Sequence, residues 1–226
     1  MKPLSSSSKL LFAAAVLALL AATARAQSYK LESSSTPPPQ ELNAALRGTL
    51  SPDALYVTGP NGPLCDIWLR KSIPDAATPD TSLGVNIGQI PQGALVGAIK
   101  FDAAGADYRG QPIKPGVYTL RFMLLPVDGN HQGVSPYRDY FLTAPAALDS
   151  SAADISTTDL VNLSKKAAGT GHPSVWSLVP ADNAPATLPG IAHQSDGDLW
   201  VVYFQAPLAK PTKMGLVVVG KAQAPE

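Results

Sequence analysis

One cysteine, three histidines and few charges are what this chain of 226 residues has least of. Each scarcity removes a class of protein. Cys65 has no second cysteine to pair with, so a disulfide framework within the chain is excluded. Charged residues make up only 15%, which disfavours long solvent-facing helices, and 22 prolines with 18 glycines favour turn-rich β structure. A coiled coil or helical bundle is excluded. Basic and acidic residues both number 17, so there is no basic footprint for nucleic acid and no acidic tail for a basic partner. The longest apolar run, residues 10–22, is shorter than the roughly 20 residues a spanning helix needs. Catalytic signatures are missing too. Ser135 stands in G-V-S-P-Y, which lacks the second glycine of a G-x-S-x-G elbow, and no glycine loop cradles phosphate.

What is present begins with a leader. Residues 1–26 combine Lys2 and Lys9, the apolar run, and Ala24-Arg25-Ala26 as an A-x-A cleavage site, the layout of a secretory signal peptide. Cleavage after Ala26 is expected to give a secreted or periplasmic product with no membrane span. Losing Lys2, Lys9 and Arg25 leaves 14 basic against 17 acidic residues, a net charge of −3. About 200 residues remain, the size of one domain. Residues 27–40, with Ser33-Ser34-Ser35-Thr36 and three prolines, have linker composition. Residues 41–226 are expected to form a single domain.

Within that domain residues 41–47 read as a short helix ended by Gly48, and residues 156–168 as a second, with Ser156 and Asp159 as a capping arrangement and Lys165 and Lys166 near its end. The second helix is expected across one end of the sheets. Residues 55–58 and 64–71 flank G-P-N-G-P and read as a hairpin. Its second strand puts Cys65, Ile67 and Leu69 on one face and Asp66, Trp68 and Arg70 on the other, which makes Cys65 a buried, inert thiol. Residues 94–101 read as an interior strand with Leu95, Ile99 and Phe101 on one side and Val96 and Ala98 on the other. Residues 117–125 alternate most clearly, with residues 138–143 as their hairpin partner, and residues 174–179, 198–205 and 214–220 supply three late strands. About nine short strands with almost no βα alternation predict an all-β fold, an antiparallel two-sheet β-sandwich with one or two short helices.

The run Pro115-Gly116-Val117-Tyr118-Thr119-Leu120-Arg121 resembles the P-G-x-Y-x-L-R segment that opens a strand in many secreted Ig-like, transthyretin-like and carboxypeptidase-regulatory-like sandwich modules. More broadly the chain is similar in style to exported bacterial β-sandwich proteins of unknown function. The resemblance implies a binding or scaffold role and carries over no catalytic residue.

The densest polar segment is residues 126–140, whose loop 126–137 exceeds the usual hairpin connection and so marks a candidate ligand site. Asp128, His131, Arg138 and Asp139 are its candidate binding residues. Asp128 and His131, with His172 and His193, offer the imidazole and carboxylate donors that zinc or copper accepts. The spacings H-x-H and H-E-x-x-H are absent, and the competing reading makes Asp128-Gly129 a turn with His131 on the surface. Arg138 and Asp139 either pin the loop through charge-assisted hydrogen bonds or, if Arg109, Arg121 and Arg138 share a cleft, receive a carboxylate or phosphate. Trp68 beside Asp66 and Arg70 offers a platform for a sugar ring, whereas Trp176 and Trp200 read as core. Asp196-Gly197-Asp198 lacks the remaining calcium ligands and reads as a turn. The leading expectation is a non-catalytic protein that binds a small molecule, glycan or protein at the 126–140 loop and needs no cofactor. Metal binding through Asp128, His131, His172 and His193, and carbohydrate binding through Trp68, are the alternatives.

Overall fold

The computed structural model describes residues 28–128, 135 and 137–222. In chain order its elements are β1 (Lys30–Ser34), α1 (Ala44–Thr49), β2 (Ala54–Gly59), β3 (Gly62–Leu69), β4 (Leu95–Phe101), β5 (Gly105–Ala106), β6 (Pro112–Ile113), β7 (Gly116–Leu124), β8 (Asp139–Pro145), α2 (Thr157–Ala168), β9 (Val175–Val179), β10 (Gly190–Gln194), β11 (Leu199–Ala206) and β12 (Thr212–Val219). Ten strands form one antiparallel sheet in the order β1-β2-β3-β4-β7-β8-β9-β12-β11-β10, while β5 and β6 make a separate two-stranded ribbon.

The antiparallel all-β class with two short helices is thus present, but one sheet stands where two stacked sheets are expected. That sheet curls until its edges meet: β1 contacts β10, and the Tyr29 ring just before β1 lies 5.1 Å from that of Trp200. The result is nearly a barrel. Its interior holds Val57, Ile67, Ile99, Leu120, Phe122, Phe141, Trp176, Phe204 and Leu216, together with the buried Cys65. A sandwich leaves the outer faces of its sheets wet, whereas here separate apolar clusters cover the outside as well. Leu42, Leu46 and Leu50, on and beside α1, cover Trp68, Ala98 and Val117. Leu160 of α2 sits over Met123 and Leu142.

Residues 30–34 correct the linker expectation. They pair with β2 from Lys30 opposite Thr58 to Ser34 opposite Ala54, and the Thr36 carbonyl accepts a hydrogen bond from the Trp68 indole at 2.8 Å. A strand edge offers unpaired backbone groups, and a Ser-rich segment satisfies them with little apolar content of its own. β4 carries a second correction. A register shift between Leu95 and Gly97 resets the alternation, so Val96, Ile99 and Phe101 face the interior while Leu95 and Ala98 face α1. Gly97 sits at this bulge, where an added Cβ would lie 2.4 Å from the Trp68 carbonyl oxygen.

α1 starts later than its sequence suggests, because Asn43 is the cap and accepts from the Leu46 amide at 2.9 Å. α2 begins where expected: Ser156 accepts from the Asp159 amide at 3.1 Å, and Gly169 ends the helix at φ 66°. It lies against the outer face of β8, not across an end of the sheet. The segment leading to it is held by a buried pair. Arg121 donates to Asp149 from Nε at 2.7 Å and Nη2 at 2.8 Å, and from Nη1 to the Gly93 and Ala153 carbonyls at 2.7 and 3.0 Å.

Candidate functional site

Alternation along β7 and β8 sends Phe122 and Phe141 inward and leaves Met123, Tyr140 and Leu142 on the outer face. α2 covers only part of that face. Its Leu160, Ser164, Ala167 and Ala168 are buried, while Val161 and Lys165, one turn apart, overhang a cleft of about 410 Å³. Met123, Leu142, Val175 and Val161 form its apolar walls, and Leu125 and Pro126 border it at the start of the long loop. This volume lies within the roughly 300–1,000 Å³ of small-molecule sites.

Two braced loops complete the rim. Buried Asp107 accepts from the Arg109 and Gln111 amides through Oδ1 at 2.9 and 2.8 Å, and from the Gln111 amide group and the Val175 backbone through Oδ2 at 2.8 and 3.0 Å. Gln111 also donates to the Pro173 carbonyl at 2.8 Å, and Thr170 donates to the Gln111 side-chain oxygen at 2.5 Å. The network ties the turn carrying Arg109 to the loop carrying His172. Arg109, Lys165 and His172 therefore reach one cleft from three separate elements, and no Asp or Glu lines it among the described residues. None of these three side chains has an ion-pair partner among the described residues.

Tyr140 and Tyr108 close one side, their ring centroids 6.5 Å apart. Burial pushes the Tyr140 phenol up to about 12, and nearby Ser135 and Arg109 offset part of that rise. Its buried hydroxyl has no hydrogen-bond partner among the described residues, although the nearby Ser177 hydroxyl also offsets part of the rise.

Of the residues singled out in the sequence, the cleft brings together Arg109 and His172. Arg138 and Asp139 are pins. Arg138 donates to the Leu125 carbonyl at 2.9 Å and to Ser82 at 2.7 Å, and the fully buried Asp139 carboxylate accepts from the Asn86 and Ile87 amides, both at 2.9 Å. They hold the segment before β4 over the adjacent end of the sheet. Arg121 is buried against Asp149, so the three-arginine cleft does not form. Trp68 is 1% exposed and hydrogen-bonded to Thr36, which removes it as a sugar platform. The apolar cover of α1 takes the face that a wet strand would have left open.

His193 sits on β10, 2.7 Å from Asp198, its ring tilted against that of Trp200 at 5.0 Å. His131 lies outside the described residues, and Asp128 is exposed. No group of three His, Cys, Asp or Glu side chains is placed to hold a metal ion among the described residues, and no described helix is long and apolar enough to cross a membrane. A second hollow of about 320 Å³ is bordered by Tyr29, Phe101, Trp176 and Lys221. No protein-family model, curated protein or solved structure significantly matches the chain.

Sequence reasoning passed over Tyr108, Tyr140, Val161, Lys165 and Val175. Their signal was the outward parity of β8, an apolar face that needs a cover, together with the four-residue spacing of Val161 and Lys165.

Proposed function

We propose that this protein is an exported, non-catalytic binding module whose site is the cleft between α2 and the outer face of β7, β8 and β9. The observation that carries the reading is a cleft of about 410 Å³ with apolar walls and a rim held in place by the Asp107 and Gln111 network. An apolar hollow with few polar groups on rigid supports is the usual form of a small-molecule site. The 126–140 segment contributes Pro126 and Tyr140, with Leu125 just before it, which moves the centre of the site from the loop to the cleft beside it. The leader supports export. The likeness of residues 115–121 to sandwich modules that act as binding or scaffold domains supports the role.

The test is calorimetric titration of the full chain with 1-decanol as a neutral apolar probe, alongside Val161→Trp, which fills the cleft from a partly exposed helix position. Saturable binding that Val161→Trp abolishes supports the reading, provided circular dichroism shows the variant folded. Absence of binding to the wild-type chain, or undiminished binding to a folded Val161→Trp chain, overturns it.

A further inference from the structure

The polar character of the cleft has one sign. Its lining includes an arginine, a lysine and a histidine, no carboxylate among the described residues, and otherwise apolar or aromatic side chains and glycine. This stands out in a chain whose 17 basic and 17 acidic residues balance. The nearest carboxylate on the Arg109 turn, Asp107, spends its oxygens on four N–H donors and faces inward, 1% exposed. The cations at the rim are thus left for something else.

A bare inorganic anion would find no use for Met123, Leu142, Val161 and Val175, and a purely apolar ligand would find none for the charges of Arg109 and Lys165. A molecule with one anionic end and an apolar body uses both. We infer, on the basis that the cleft is the binding site, that its ligand is an apolar monocarboxylate of medium chain length. The tail lies against the α2 and β8 side chains, and the carboxylate lies at the rim between Arg109 and Lys165 with His172 beside them. Arg109 brings a planar fork suited to two carboxylate oxygens, and Lys165 brings a mobile point charge. Because the rim is open to water, its attraction weakens with salt.

The experiment compares decanoate with 1-decanol, both below aggregating concentrations, on the wild-type chain and on Arg109→Gln, Lys165→Gln and Val161→Trp, with circular dichroism on each variant. Expected are decanoate binding about tenfold tighter than 1-decanol at low salt, and a loss of about three- to tenfold for decanoate in each charge variant. Binding of 1-decanol should fall less than that of decanoate in those variants, and both probes should be lost in Val161→Trp. Equal affinity for the two probes, insensitive to Arg109→Gln and Lys165→Gln but abolished by Val161→Trp, overturns the carboxylate assignment while the cleft survives as the site. Failure of both probes to bind the wild-type chain, or their survival in folded Val161→Trp, overturns the site and the assignment together.

Discussion

The backbone amide of Val175 donates to Oδ2 of Asp107 at 3.0 Å, joining the turn that carries Arg109 to the strand that forms one wall of the cleft. Three further donors converge on the same buried carboxylate. Asp107→Ala strands all four, and the cost of unsatisfied buried donors predicts a loss of about 2–4 kcal/mol in urea unfolding. Asp107→Asn, which keeps an acceptor oxygen, should lose less.

Tyr140 predicts the opposite sign. Its hydroxyl is buried without a partner among the described residues, so Tyr140→Phe should leave the protein equally stable or raise stability by about 1 kcal/mol at neutral pH. In alkali the native state holds this phenol protonated up to about 12, whereas an unfolded tyrosine ionises near 10. The folded value is the higher one, so this contribution is intact below about pH 10 and is lost as pH rises toward 12. Stability should fall by about 2–3 kcal/mol over that interval, less in Tyr140→Phe, as read from urea midpoints at stepped pH.

Arg121 and Asp149, both buried, form a two-point pair. Removing one partner leaves a charge without compensation, and Asp149→Ala or Arg121→Met should each cost about 3–5 kcal/mol. The segment before α2 depends on this pair, so proteolysis between residues 149 and 156 should accelerate in either variant.

Gly97→Ala forces a Cβ to within 2.4 Å of the Trp68 carbonyl oxygen. Strands β3 and β4 must separate to admit it, at about 1–3 kcal/mol. A thermal midpoint equal to that of the wild-type chain would remove the bulge from the account.

Much of this architecture was legible in local patterns. The β2–β3 hairpin, the strand from Gly116 and its partner from Asp139, and the Ser156 and Gly169 limits of α2 all follow from alternation, turn residues and capping. What was not legible depends on partners distant in the chain. β1 exists because the edge of β2 needs backbone hydrogen bonds, and β10, with Ile191 and Ala192 as its apolar residues, exists because β11 does. The face of Trp68 hinged on whether α1 would cover it. Arg109 and His172 were legible as candidates, but their meeting was not, because it runs through Asp107, Gln111 and Thr170.

The central claim is the place of binding. The most direct measurement is a two-dimensional amide NMR titration of isotopically labelled protein with decanoate. Saturable shifts centred on the amides of Arg109, Leu142, Val161, Lys165, His172 and Val175 are the result predicted. Shifts centred instead on the hollow at Tyr29, Trp176 and Lys221, or no saturable shifts at all, would contradict it.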